Sequence, residues 1–181
     1  MTVPNLLSIV RILLVPVFII YMLNNRMLAS LIVFIIAGVS DALDGFIAKV
    51  FHQKTNLGAH LDPLADKILL ISAYVTLAIF DLIPSWLAVL TISRDVLILL
   101  GVLVLYLNRY PVRMKPSILS KATTCMQVVT ILIALSNGYL DIQFLKVYSV
   151  WVTASLTVAS GLQYMREGLI MLSQGVNGNF A

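Results

Sequence analysis

Apolar windows of about twenty residues, the length an α-helix needs to cross a bilayer, recur along this chain with only short polar turns between them. The pattern predicts six: Leu6–Leu23; Met27 into the segment Asp41–Lys49; a third carrying Asp62 and Asp66 near its start and running to Phe80; Trp86–Leu107; Ile118–Leu135; and Phe144–Tyr164. Composition agrees. Of 181 residues, 60% are hydrophobic and 11% charged, against about 25% charged in soluble domains. The mean hydropathy is +1.00. The expected fold is therefore an all-α integral membrane protein of six transmembrane helices, one domain over residues 1–181 with a short frayed tail at about 173–181. The first segment has no charged leader and no small-residue cleavage site, and Arg11 interrupts it, so it is expected to be a retained helix.

Punctuation places the turns. Asn24-Asn25-Arg26 ends the first helix, Asp81 and Pro84 close the third, and Asn137-Gly138-Tyr139-Leu140-Asp141 joins the last two. Because the first helical turn tolerates proline, Pro63 puts the start of the third helix close to Asp62, after the polar link His52–Asn56. Positive charge in short loops sets orientation. Lys49, Lys54, Arg109, Arg113, Lys115, Lys121 and Arg166 gather on one side, and only Arg26 and Lys146 on the other, so the first side faces the cytoplasm with both termini. The net charge of +4 is spread among apolar segments rather than clustered, which speaks for membrane phosphates as partners and against nucleic acid. Cys125, the single cysteine, forms no internal disulfide and is expected as a small core residue.

Four of the eight acidic residues lie between Asp41 and Asp66, in the stretch DALDGFIAKVFHQKTNLGAHLDPLAD. Ionised carboxylates at membrane depth require a cavity, a cationic partner or a metal. Asp41 and Asp44 are three apart and Asp62 and Asp66 four apart, so on helices each pair shares a face. Like charges held that close repel, an arrangement that makes sense around cations. Oxygen ligands favour a hard divalent ion, and Mg²⁺ or Mn²⁺ usually shares its shell with substrate phosphates. Gly45 and Gly58 would let a backbone or ligand approach closely.

Asp41, Asp44, Gly45, Ala48, Lys49, Gly58, Asp62 and Asp66 resemble the signature of the CDP-alcohol phosphotransferases, D-x2-D-G-x2-A-R-x8-G-x3-D-x3-D, at seven of eight positions. The departure is Lys49, which keeps the charge of the usual Arg but replaces a planar fork by a point charge. The resemblance implies attack by a hydroxyl on the lipid-side phosphate of a CDP-linked lipid, with expulsion of CMP. It implies Asp41, Asp44, Asp62 and Asp66 as ligands of two Mg²⁺ or Mn²⁺ ions, with Asp66 also taking the acceptor's proton. Gly45, Ala48, Lys49 and Gly58 would line the cytidine and diphosphate. A homodimer is also implied; the loop charges put the motif on the cytoplasmic side, and a bacterial inner or plasma membrane is the expected location.

Within the family, PNLLSIVRILLVP and LGAHLDPLADKILL resemble both phosphatidylglycerophosphate synthases and CMP-forming cardiolipin synthases, whereas FDLIPSWLAVLTISRDVLIL and RMKPSILSKATTCMQ resemble the cardiolipin type. The likeness covers residues 4–130 and weakens beyond. Phosphatidylglycerol is thus the favoured acceptor, then glycerol 3-phosphate, with inositol phosphate or serine well behind. A small cation-coupled transporter would also place acids in helices, but it usually carries inverted repeats with broken helices, which this sequence lacks.

The remaining charges keep two readings each. Arg94 would reach a substrate phosphate or satisfy a motif carboxylate; its neighbour Asp95 projects about 100° away on a helix, which argues against a direct pair. Arg113, Lys115 and Lys121 would grip an anionic acceptor, or serve topology and surface lipid, with Lys121 leaning to function. Lys67 would touch substrate or snorkel, and Arg11 belongs to the family's opening pattern or anchors at an interface. His52 and His60 lack partners at zinc-site spacing, and Trp86 and Trp151 mark interfaces or packing contacts.

Overall fold

The computed structural model describes residues 3–50, 56–107, 117–137 and 142–176, with side chains over 8–41, 64–104, 107, 117–137 and 142–171. All its regular elements are helices: α1 Val3–Leu23, α2 Met27–Val50, α3 Asn56–Ile79, α4 Ser85–Leu107, α5 Ile118–Ser136 and α6 Gln143–Val176. Among the residues whose side chains are described, two helical stretches, α4 over Ser85–Val104 and α5, are long and apolar enough to cross a membrane, and Ser8–Leu23 and Met27–Asp41 form shorter apolar ones.

The turns end helices by a mechanism written in their residues. Asn25 has φ 55°, the left-handed region that asparagine tolerates. Its N–H donates to Met22 O and the Arg26 N–H to Tyr21 O, at 2.9 Å each. That pair of bonds is a Schellman closure of α1. The same closure recurs after α3: Asp81 also has φ 55°, its N–H donates to Ala78 O at 3.2 Å, and the Leu82 N–H donates to Leu77 O at 2.9 Å. At the other kind of end, Ser117 Oγ accepts the Ser120 N–H at 3.1 Å and caps α5.

Two boundaries differ from expectation. Helix α3 starts at Asn56, so Pro63 lies inside it rather than in its first turn. Asn56-Leu57-Gly58-Ala59-His60-Leu61 has only one weak breaker, Gly58, and Pro63, which removes one backbone bond and crowds the carbonyl four residues before it, does not end the helix here. Helix α6 continues to Val176 instead of ending near Tyr164. Apolar length stops at Tyr164 but helix propensity does not, and Gln163 Nε2 donates to Glu167 Oε1 at 2.8 Å across the next turn.

Contacts divide the chain into two compact units, Met1–Ile83 with Ile131–Gln143, and Pro84–Thr130 with Phe144–Ala181. In the first, α1 packs on both α2 and α3. Phe18 of α1 and Phe34 of α2 meet with ring centroids 6.1 Å apart, beside fully buried Met22, Ala73 and Leu77. In the second, α5 and α6 are joined by small hydroxyls. Thr130 Oγ1 and Thr153 Oγ1 lie 2.8 Å apart, Thr123 Oγ1 reaches Leu156 O at 3.2 Å, and Thr153 Oγ1 reaches Met126 O at 3.3 Å. Such bonds hold helices together where apolar burial supplies little drive. Trp86 and Trp151 meet with centroids 5.6 Å apart and their planes tilted by 44°, tying α4 to α6. Cys125 is exposed on α5 and not a core residue, because the inward stripe of that helix is taken by Thr123, Gln127 and Thr130.

Candidate active site

The site grows out of the three-helix unit. From the closure at Asn25, Arg11 on α1 and Asp41 on α2 lie at similar heights, about 20 Å along each helix at 1.5 Å per residue. Helix α3 returns past them and brings Asp66. Arg11 is completely buried, and one of its nitrogens serves both acids: Nη1 lies 3.2 Å from Asp41 Oδ1 and donates to Asp66 Oδ1. The reading of Arg11 as an interfacial anchor is thereby overturned, since an anchor keeps its head in water. The acids are more open than their partner. The Asp41 side chain is 51% exposed and that of Asp66 39%, against 0% for Arg11. A buried cation thus lies behind two carboxylates whose other side is accessible.

Both ends of the acidic motif therefore meet, Asp41 from its first half and Asp66 from its second. Asp44, Gly45, Ala48 and Lys49 lie on α2 and Gly58 and Asp62 on α3, and their side chains are outside the described residues. Among the described residues no group of three or more His, Cys, Asp or Glu is placed to hold a metal. What is described nevertheless suits a hard cation: two carboxylates converge on one point, and oxygen is the donor a divalent Mg²⁺-like ion prefers.

Arg94 belongs to the second unit and is 4% exposed. Contrary to the expectation from helix geometry, it pairs with its own neighbour: Nη1 donates to Asp95 Oδ1 at 2.7 Å. The 100° divergence applies to the Cβ atoms, and the long arginine stem bends back across it. Nη2 donates to Ser120 Oγ at 2.6 Å and to Ser160 Oγ at 2.7 Å, and the guanidinium sits 5.7 Å from the centre of the Tyr164 ring. A cavity of about 200 Å³ adjoins it, lined by Leu97, Gly101, Gly161 and Met165 among others. Lys121 is exposed in the first turn of α5. Arg113, Lys115, His52 and His60 lie outside the residues whose side chains are described.

Comparison with known proteins adds the chemistry. The profile of the family described as CDP-alcohol phosphatidyltransferase matches residues 1–159, further than the motif-based likeness reached. The chain belongs to this family. Among curated CDP-alcohol phosphatidyltransferase relatives, it is 37% identical to the cardiolipin synthase (CMP-forming) of Rattus norvegicus over 92% of this chain and 61% of that protein. It is 36% identical to the human protein of the same name over 92% of this chain and 62% of the relative. The CDP-diacylglycerol–glycerol-3-phosphate 3-phosphatidyltransferase of Bacillus subtilis (strain 168) is 32% identical over 91% of this chain and 93% of that protein. The chain thus spans about three fifths of the mammalian relatives and nearly all of the bacterial one.

Sequence reasoning identified the acids by spacing but missed Arg11 as their partner. The available signal was its type and depth: an arginine inside an apolar helix requires a counter-charge.

Proposed function

We propose that the protein transfers the phosphatidyl group of CDP-diacylglycerol to a glycerol-type hydroxyl and releases CMP, with phosphatidylglycerol as the favoured acceptor. The observation that carries this reading is the convergence of Asp41 and Asp66 on Arg11, which joins the two halves of the family motif at one accessible point. The cardiolipin synthase (CMP-forming) relatives support the choice of acceptor. Glycerol 3-phosphate is the second reading, favoured by the near-complete coverage of the Bacillus subtilis relative.

Asp41, Asp44, Asp62 and Asp66 would hold two Mg²⁺ or Mn²⁺ ions. When bound, such ions clamp a diphosphate and stabilise charge on the departing CMP. The protein's own groups do the rest. Arg11 fixes Asp66 through Oδ1, and Oδ2 receives the proton of the attacking hydroxyl as the new P–O bond forms and the bond to CMP breaks. Gly45, Ala48, Lys49 and Gly58 contact cytidine and diphosphate, and Arg113, Lys115 and Lys121 hold the acceptor's phosphate. Arg94, with both terminal nitrogens engaged, keeps α4, α5 and α6 in register. All six helices cross the membrane, both termini and the site face the cytoplasm, and the enzyme works as a homodimer among membrane lipids.

Purified protein should release CMP from CDP-diacylglycerol only with Mg²⁺ or Mn²⁺, and Asp66→Asn should lower that rate by about 10²-fold or more. Identifying the lipid formed with each acceptor decides between the two readings. Full activity in chelator removes the metal assignment, and unchanged activity in Asp66→Asn removes the base. A cation-coupled transporter, the reading from another class, would release no CMP with any acceptor.

A further inference from the structure

In the chemistry proposed above Arg11 only fixes Asp66, yet it is completely buried, and its Nη1 lies against two of the proposed metal ligands, Asp41 and Asp66. We infer that Arg11 is a positioning residue: an internal cation that holds Asp41 and Asp66 together while the divalent ions are absent and opposes them when they bind. The inference rests on the metal-binding reading of the same carboxylates.

Three features lead to it. Two carboxylates from different helices would drift apart if nothing positive lay between them, since like charges at a shared site repel. Arg11 supplies that charge at a position its helix fixes, because α1 packs on both α2, which bears Asp41, and α3, which bears Asp66. A guanidinium cannot be deprotonated in a protein, so the hold depends on competing cations and not on pH. The burial pattern then decides how exchange proceeds. With Arg11 fully buried and the two acids 51% and 39% exposed, a hydrated ion reaches the carboxylates from the open side without Arg11 having to leave. A divalent ion takes carboxylate oxygens at about 2.0–2.6 Å, so a pair already gathered around one guanidinium nitrogen needs only a small readjustment to receive it. The same guanidinium repels the incoming ion. The site is therefore ordered when empty, at a cost in metal affinity.

Thermal unfolding of the full chain in detergent, with EDTA or with increasing Mg²⁺ or Mn²⁺, tests this without reference to turnover. Arg11→Met should lower the unfolding temperature in EDTA by on the order of 10 °C, as expected for a buried charge network losing one partner. It should also show a larger stabilisation by metal than the parent. Half-saturation should fall to an about tenfold or more lower metal concentration, because a nearby positive charge has been removed. Arg11→Lys keeps the charge and should keep the half-saturating concentration within about threefold of the parent. If the parent responds to metal but Arg11→Met saturates at the same or a higher concentration, the inference fails while the metal reading stands. If neither the parent nor Asp66→Asn responds to metal, the metal reading fails and takes the inference with it. Should Arg11→Met fold only in the presence of metal, the inference is supported. Should it fold in neither condition, Arg11→Lys decides, and a shift of half-saturation beyond about tenfold overturns the inference.

Discussion

At Arg94 the guanidinium spends its terminal nitrogens on Asp95, Ser120 and Ser160, and its Nε has no hydrogen-bond partner among the described residues. Arg94→Met would leave Asp95, itself nearly buried, without this cation. Breaking a buried pair from one side costs about 3–5 kcal/mol, so the unfolding temperature in detergent should drop by on the order of 10 °C. Removing both charges in Arg94→Met/Asp95→Leu should restore much of that loss; a double variant no better than the single would mean that the serine and Tyr164 contacts dominate. At this scale the sequence was legible where spacing carries chemistry and opaque where reach does. Asp41 and Asp66 stand out because their residue types and intervals are unusual in apolar helices. The partners of Arg11 and Arg94 do not, since a stem this flexible can meet a charge on its own helix or on either of two others. For Cys125, residue type suggested the core, and only the hydroxyl stripe of α5 shows which way that helix faces.

Helix ends were legible where a residue does something to the backbone. Asn24-Asn25-Arg26 and Asp81 end α1 and α3 as their types suggest, each through one residue in the left-handed region. Hence Asn25→Gly should leave stability within a few tenths of a kcal/mol, whereas Asn25→Val, whose branched Cβ opposes positive φ, should cost about 1–2 kcal/mol. Unfolding curves of the two variants check this, and equal losses would mean that loss of the asparagine side chain matters more than φ. The start of α3 and the end of α6 were not legible, for a common reason. Apolar windows locate the stretch a bilayer can accommodate, while helix formation continues through polar residues until something breaks it. Neither Gly58 nor Pro63 stops α3, and neither Arg166 nor Gly168 stops α6.

Over the whole molecule, both units bury polar side chains among their apolar ones and leave many large apolar side chains exposed. Ser8, Ser30, Thr123, Thr153 and Ser160 are fully buried, while Leu13, Ile79, Val89, Leu99 and Trp151 are each more than 60% exposed. Water punishes such an arrangement and hydrocarbon rewards it, because soluble proteins rarely display apolar surface on this scale. With lipid as the surrounding medium, the orientation proposed from the charge bias of the turns would put Arg26 and Asp81 on the outer side and Lys121 and Arg166 in the cytoplasm. Single cysteines in a Cys125→Ser background measure this directly. Ser85→Cys, exposed at the start of α4 four residues after Asp81 in the sequence, should react with a membrane-impermeant maleimide on intact cells, and Lys121→Cys only after permeabilisation. In the parent, exposed Cys125 should react with an apolar maleimide in membranes and not with a charged one, because its surroundings would be acyl chains. Labelling of Lys121→Cys from outside would place the basic loop, and the carboxylates proposed to lie on its side, away from the cytoplasm where CMP is recycled. The reaction assigned to this chain would then need a nucleotide lipid on the wrong face of the membrane, so the orientation and the chemistry stand or fall in one experiment.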